Sequence, residues 1–293
     1  PRRAMKPQLI RAEALFQADP PSLAGYGRRL LAEGDSWFSV GTLNLVKASN
    51  LLFKLELARS TAVVDCAASG DTLQHMVDGL RDPHFDRLLR APAFARWWEA
   101  ILVSAGGNDL IDAAQVPPVD AQGQPIPPDR RLLLTPAEAA RRGGRDDPAA
   151  YVSARGWARL ERYLRANFAE LVRRRDQGPS AGRPLFVHTY AVPVVRPAGT
   201  LGAPQGWLYP ALLRAGIATA LWQPIAERLF ARLRSLLLGL DADSGRPGAL
   251  PHLHVFDSAA LTSLVPAVPG STGTSHDWIN EIHLTRAGCR KLA

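Results

Sequence analysis

The chain has 293 residues, of which 46% are hydrophobic and 21% are charged, a composition that excludes disordered, collagen-like and coiled-coil proteins. It contains no stretch near the roughly 18 uninterrupted apolar residues of a membrane-spanning helix, so we expect no integral membrane segment. The formal net charge is +8, but the basic residues are scattered along predicted helix faces, and we therefore expect no nucleic-acid partner.

Five short apolar runs, each typical of a buried strand, occur at residues 29–32, 61–67, 100–105, 185–190 and 253–257. Segments long enough for helices separate these runs, which predicts a parallel sheet with helices on both faces. Two of the segments, residues 157–171 and 225–240, carry apolar residues at spacings of three and four, which predicts amphipathic helices. We therefore predict a single α/β domain over residues 1–293, built on a five-stranded parallel sheet.

Three irregular segments follow predicted strands. Residues 112–147 are rich in Pro, Gly, Asp and Arg, which indicates an inserted loop. Within this loop, residues 135–138 read Thr-Pro-Ala-Glu, which predicts a short helix with a capping box. Residues 192–206 and 266–275 follow the fourth and fifth strands. Because ligands bind at the carboxyl ends of parallel strands, we expect these loops to frame a site.

Four short motifs bring polar side chains to that same edge of the sheet. A turn serine can present its hydroxyl there, and an imidazole that accepts the hydroxyl proton makes the serine a nucleophile. A glycine N–H and an asparagine amide can donate hydrogen bonds to the oxygen on which charge develops. Taken singly, each motif also fits an ordinary turn. The motifs are Gly34-Asp35-Ser36, Ser69-Gly70-Asp71, Gly106-Gly107-Asn108 and the stretch from Asp277 to His283.

Together the four motifs resemble those of the SGNH hydrolases, also called GDSL esterases and lipases. They occur in the family's order, each after the strand where the family places it, over residues 30–288. The resemblance implies a three-layer α/β/α flavodoxin-like fold and hydrolysis of acyl esters through a serine-bound intermediate. It also implies that Ser36 is the nucleophile, that His283 is the base, and that the oxyanion donors are Gly70, Asn108 and the Ser36 N–H.

The sequence departs from the family pattern at two positions. Trp37 stands where leucine is usual, which changes a wall beside the serine. The family's acid lies three residues before the histidine, and Asn280 occupies that position here. An asparagine oxygen can accept the Nδ1–H bond of His283 but supplies no negative charge. Two interpretations stay open: His283 is supported by Asn280 or a backbone carbonyl, which we favour, or Asp277 reaches it instead.

Other residues are candidates for binding roles. We expect Trp37, Tyr190 and Trp207 to form walls for the substrate. His188, at the end of the fourth predicted strand, either lines the pocket or has a structural role. No histidine pair has the spacing of a zinc site, and the two cysteines, Cys66 and Cys289, form no C-x-x-C pair, so we expect reduced thiols, no metal and no cofactor.

We therefore predict a serine esterase that acts on a small-molecule carboxylic ester. Two alternatives use the same site: a binding module with little or no activity, and an acyltransferase. The sequence does not indicate which ester is the substrate or what the oligomeric state is. The first residues are basic with no apolar region behind them, so we expect a cytoplasmic bacterial protein, although the sequence leaves open whether a leader was removed.

Overall fold

A parallel β-sheet organises the chain, as seen in a computed structural model that describes residues 4–39, 49–261 and 263–293. Within these residues the sheet has six strands in the order β1-β3-β2-β4-β5-β6, and every neighbouring pair is parallel. The strands are β1 (Gln8–Arg11), β2 (Arg28–Gly34), β3 (Thr61–Asp65), β4 (Ala100–Ser104), β5 (Leu185–His188) and β6 (Leu253–Phe256).

Helices lie between the strands and cover the sheet. The helices are α1 (Ser36–Ser39), α2 (Leu73–Val77), α3 (Pro83–Arg90), α4 (Gly107–Gln115), α5 (Pro136–Arg141), α6 (Ala154–Asp176), α7 (Leu208–Arg214), α8 (Trp222–Leu240) and α9 (Arg286–Leu292). α6 packs against α2, α3 and α4, and α8 packs against α4, α7 and β6. Phe38 of α1 and Leu292 of α9 line one apolar cavity together with Leu102 of β4 and Phe186 of β5.

This arrangement confirms the predicted α/β/α fold. The five strands β3-β2-β4-β5-β6 have the order 2-1-3-4-5 of flavodoxin-like sheets. The predicted strand number was wrong, because β1 adds a sixth strand beside β3. β1 has only four residues and lies at the edge of the sheet, with its first and last residues exposed. A run this short, with polar residues at both ends, carries little of the apolar signal that marks a buried strand.

The two long helices confirm the predicted amphipathic patterns. α6 buries Leu160, Leu164 and Phe168 on one face, and α8 buries Leu229 and Leu233 in the same way. The interior strands of the sheet are shielded from water: all five residues of β3 are buried. Parallel strands covered on both faces read as continuous apolar runs, which is why β3 was readable from the sequence.

The predicted capping box in the inserted loop is also confirmed. Thr135 Oγ1 accepts a hydrogen bond from the backbone N–H of Glu138, and the Glu138 carboxylate accepts the N–H of Thr135 at 2.8 Å. Arg131 forms an ion pair with the same carboxylate. The loop is therefore tied down at the start of α5.

The strand order also determines where a site can form. The chain runs from β2 to β3 on one side of β2 and later places β4 on its other side. The loops after β2 and β4 therefore diverge at the carboxyl edge of the sheet and leave a crevice between them. Ser36 begins α1 directly after β2, and Asn108 lies in the first turn of α4 after β4. The fold thus brings two of the predicted site residues to one crevice.

Among the described residues, no helix combines the length and the apolar character needed to cross a bilayer.

α6 approaches the inserted loop so closely at Gly156 that the position has no room for a side chain. A Cβ at this position would overlap the carbonyl oxygen of Arg131. Although alanine is a better helix former than glycine, we expect Gly156→Ala to lower the free energy of unfolding by about 1–3 kcal/mol, because the backbone must move. Urea denaturation measures this change. The neighbouring Arg155→Ala is the control, since Arg155 is exposed and should change stability by less than about 0.5 kcal/mol.

Candidate active site

The hydroxyl of Ser36 and the imidazole of His283 meet in the fold, although 247 positions separate them in sequence. Ser36 Oγ lies 2.7 Å from His283 Nε2. Both side chains are buried, with 5% and 8% of their surfaces exposed. Ser36 is presented by the turn from β2 into α1, and His283 by the loop that precedes α9. This is the contact that the sequence predicted.

Asp35 fixes the turn that presents Ser36. Its carboxylate accepts hydrogen bonds from the Trp37 N–H at 3.0 Å, the Ser104 hydroxyl at 2.7 Å and the Tyr190 hydroxyl at 2.5 Å. Burial raises the pKa of Asp35 to about 6, while the hydrogen bonds from Tyr190 and Ser104 act in the opposite direction. The start of α1 is therefore anchored to the ends of β4 and β5 by one buried carboxylate.

Asn280 sets the tautomer of His283. The Oδ1 atom of Asn280 accepts the backbone N–H groups of Ile282 at 3.1 Å and His283 at 2.9 Å, and it lies 3.0 Å from His283 Nδ1. Two backbone donors converge on this atom, so it is the amide oxygen rather than the amide nitrogen. The proton of the neutral imidazole is therefore on Nδ1, and Nε2 is free to accept the Ser36 hydroxyl proton.

Asp277 is not the partner of His283, and this alternative from the sequence was wrong. The Asp277 carboxylate accepts the backbone N–H of Val265 at 2.7 Å and pairs with Lys291 at 2.6 Å. These contacts turn the carboxylate toward the start of the 266–275 loop and toward α9. Because Nδ1 of His283 is bonded to Asn280, the structure favours the first of the two interpretations.

His283 lies in an environment that keeps the imidazole neutral. Burial lowers its pKa to about 4. The ring of Trp207 meets it edge-on, with ring centroids 5.3 Å apart. The imidazole is therefore in the base form at neutral pH, but the uncharged Asn280 gives little help to the imidazolium that proton transfer would create.

A cavity lies beside Ser36 at the switch between β2 and β4. Asn108 lies on its polar side, and Trp37 and Tyr190 are among its walls, as expected for substrate contacts. Ile111 and Phe230 complete an apolar side. The part that these walls play in binding a substrate stays a prediction.

His188 does not line this cavity. Its Nδ1 lies 2.7 Å from the carbonyl oxygen of Thr189, its Nε2 lies 2.8 Å from Ser104 Oγ, and its ring stacks on Trp37 at 5.5 Å. Burial lowers its pKa to about 4. His188 therefore supports Trp37 from behind and is not among the residues that line the cavity. The structure favours the structural role that the sequence left open, and a substrate-binding role for His188 stays a prediction.

The predicted oxyanion donors occupy two loops next to α1. Asn108 uses one amide N–H to donate to the carbonyl oxygen of Asp71 at 2.9 Å, which leaves its second N–H for another acceptor. The loop with Gly70 is held beside α1 by a hydrogen bond between Ser69 and Ser39, 2.9 Å long. Gly70 has a φ of 86°, which favours glycine, and is not among the residues that line the cavity with Ser36.

Two buried residues, Glu281 and Arg196, hold the His283 loop in place, a role that the sequence did not predict for either of them. Glu281 accepts backbone N–H groups of Trp207 at 2.5 Å, Leu208 at 2.9 Å and Tyr209 at 2.9 Å, at the start of α7. Arg196 donates to the carbonyl oxygen of Asn280 at 2.7 Å. No local spacing marks this arrangement, because its partners come from loops about 75 to 85 residues apart in sequence.

Arg196 also joins the two loops that were expected to frame the site. Its guanidinium donates to the carbonyl oxygens of Ser271 and Gly273 at 3.2 and 2.5 Å. Arg196 is fully buried, and its backbone N–H donates to Glu281 at 3.3 Å. The loop after β5 and the loop after β6 are thus one connected unit behind the imidazole.

No family model matches the chain, and no curated protein matches it. Solved structures do match. An extracellular lipase from Streptomyces rimosus is 15% identical with a TM-score of 0.47, covering 91% of this chain and 96% of its own. Phospholipase A1 from Streptomyces albidoflavus is 15% identical with a TM-score of 0.45, covering 90% and 95%.

The aryl esterase of M. smegmatis is 13% identical with a TM-score of 0.40, covering 91% of this chain and 94% of its own. All three identities are 15% or lower, and all three TM-scores lie below 0.5. The strand order and the register of this chain, rather than these similarities, therefore define its flavodoxin-like α/β/α fold.

Proposed function

We propose that this chain is a serine hydrolase of the SGNH type that cleaves carboxylic esters of small molecules. The observation that carries the proposal is the 2.7 Å contact between Ser36 Oγ and His283 Nε2, with the Nδ1 proton held by Asn280. A serine hydroxyl that faces the unprotonated nitrogen of a fixed imidazole has the arrangement that acyl transfer requires.

The reaction proceeds in two halves. Ser36 Oγ attacks the ester carbonyl carbon while its proton moves to His283 Nε2, and a tetrahedral oxyanion forms. His283 then returns this proton to the departing alkoxide oxygen, the C–O bond breaks, and the alcohol leaves the acyl group on Ser36. In the second half, water attacks the acyl carbon and gives its proton to His283, which passes it back to Ser36 Oγ as the carboxylic acid is released.

Stabilisation of the oxyanion comes from three proposed donors. The N–H of Ser36 lies at the first position of α1, where helix geometry leaves N–H groups without an intrahelical acceptor. The free N–H of the Asn108 amide reaches the same cavity. The third proposed donor is the N–H of Gly70, whose loop is held beside α1 by the Ser69–Ser39 hydrogen bond but lies outside the lining of the cavity in this structure. Each such donor is worth about 10² to 10³ in kcat in related chemistry.

Because Asn280 is uncharged, we expect it to limit the rate of catalysis at this site. Each proton transfer creates an imidazolium, and an amide oxygen stabilises that cation less than a carboxylate does. The same feature favours the alternative that the chain is a binding module of this fold with weak activity. The two functions differ in whether Ser36 is acylated.

The first prediction concerns the nucleophile. Ser36→Ala removes the attacking oxygen, and we expect kcat/KM for p-nitrophenyl acetate to fall by at least about 10³. The absorbance of the p-nitrophenolate that is released, followed at about 405 nm, measures the change. Ser244→Ala, in the turn that follows α8, is the control and should keep the parent rate. Equal rates in Ser36→Ala and the parent would remove Ser36 from the mechanism.

The second prediction concerns pH. His283 acts as a base only when it is neutral, so the rate falls as pH drops through its pKa, which lies at about 4. Asn280→Asp places a carboxylate on Nδ1, which raises that pKa. We expect the acidic limb of kcat/KM to move up by about one pH unit or more and kcat at neutral pH to rise about tenfold.

Asn280→Ala separates the charge from the hydrogen bond. This variant loses the acceptor on Nδ1, and we expect its rate to fall below that of the parent. If the fall of kcat/KM at low pH occurs at the same pH in Asn280→Asp as in the parent, this fall does not arise from protonation of His283.

The third prediction concerns the loop behind His283. Glu281→Gln puts an amide NH₂ among backbone N–H donors, which disturbs the loop without touching a reacting atom. We expect kcat to fall about tenfold or more, while KM stays nearly unchanged. The pH at which kcat/KM falls on the acidic side should also stay unchanged. Steady-state kinetics across pH measures both. Glu227→Gln, an exposed position on α8, is the control; an unchanged kcat in Glu281→Gln would contradict a positioning role.

A further inference from the structure

Three carboxylates from β2 and from the segments that follow β3 converge on one another. Glu33 belongs to β2, Asp71 to the loop after β3, and Asp82 is the residue that caps α3. One oxygen of each lies within 4.8 Å of the other two. Carboxylates at this separation repel one another unless a cation or a proton lies between them.

Glu33 is the most deeply buried of the three carboxylates, and one of its oxygens has no hydrogen-bond partner among the described residues. Its side chain is fully buried, and Oε1 accepts the backbone N–H of Gly34 at 2.7 Å. Oε2 is also buried, and none of the described residues donates a hydrogen bond to it. Burial and the adjacent Asp82 carboxyl raise the pKa of Glu33 well above its usual range, so this oxygen requires either a proton shared with Asp82 or a cation.

Positive charge is scarce around this carboxylate cluster. In the described part of the chain, neither Glu33 nor Asp82 forms an ion pair with Lys or Arg, and Asp71 faces only the imidazole of His75 at 3.6 Å. The neighbouring strand shows the contrast, since Asp65 of β3 is paired with Arg11 at 2.9 Å. The fold therefore neutralises one buried carboxylate with arginine and leaves the cluster next to it without a side-chain counter-ion.

We propose that Glu33, Asp71 and Asp82 bind one divalent cation of the hard, oxygen-preferring class, Ca²⁺ or Mg²⁺. Carboxylate oxygens are the preferred ligands of these ions, and water completes their coordination. Asp71 and Asp82 are only partly buried, which gives an ion a route from solvent to Glu33. The sequence predicted no metal because the three carboxylates follow no recognisable ligand spacing and no histidine or cysteine is among them.

The cation has a structural consequence for the loop after β3. The backbone carbonyl of Asp71 accepts the amide N–H of Asn108 at 2.9 Å, and Gly70 directly precedes Asp71. An ion bound to the Asp71 carboxylate fixes the loop that carries Gly70 and orients Asn108. This consequence rests on the proposed function, whereas the binding of the ion does not.

The experiment measures binding without using the esterase reaction. The full chain is stripped with EDTA, dialysed and titrated with CaCl₂ or MgCl₂ by calorimetry, with Tm followed in parallel. We expect one ion per chain and a Tm rise of about 5 °C at a hundredfold excess over Kd. Glu33→Gln, Asp71→Asn and Asp82→Asn should each weaken binding about tenfold or more. The same titration of Ser36→Ala should match the parent, whatever its activity.

Asp243→Asn is the matched control, because Asp243 belongs to a second acidic group, with Asp241 and His254, on the surface. It should bind the ion as the parent does. If the stripped parent binds neither ion, or if the three variants bind as tightly as the parent, the site is not a cation site. If the Tm of the stripped parent responds to neither ion and Glu33→Gln unfolds at the same temperature as the stripped parent, the proposal is also overturned, since Glu33 and Asp82 then share a proton instead.

Discussion

One hydrogen bond, between the Ser36 hydroxyl and Nε2 of His283, determines what the rest of the site must do. It requires a serine from the turn after β2 and an imidazole from the loop before α9 to be fixed within 2.7 Å. The parallel sheet makes this possible, because all strands end at one edge and their loops meet there. Asp35 holds the serine side, and Asn280 holds the imidazole side by fixing its tautomer.

The loops behind this pair are held together by two buried residues, Arg196 and Glu281, rather than by strands or long helices. Among their described residues, the loops after β5 and β6 form turns and isolated bridges rather than strands, and Arg196 and Glu281 connect them. A buried arginine that donates to several carbonyl oxygens and a buried glutamate that accepts several N–H groups act as fixed junctions. The position of His283 thus depends on side chains that never touch the reacting atoms.

Much of this structure was readable from the sequence where the signal is local. The buried strands, the periodic faces of α6 and α8 and the capping box at Thr135 each follow from neighbouring residues. β1 was missed because four residues at a sheet edge bury too little apolar surface to leave a pattern. The choice of Asn280 over Asp277 required the direction of two side chains, and the Arg196 contacts and the carboxylate cluster join distant loops without any spacing rule.

The account depends most on Ser36 being an activated nucleophile. Treatment of the folded chain with a fluorophosphonate, followed by digestion and mass spectrometry, tests this directly, because only an activated hydroxyl forms the phosphonyl ester. We expect one adduct per chain, on the peptide that contains Ser36. An unmodified Ser36 in folded protein, or an adduct confined to another residue, would contradict the proposed mechanism.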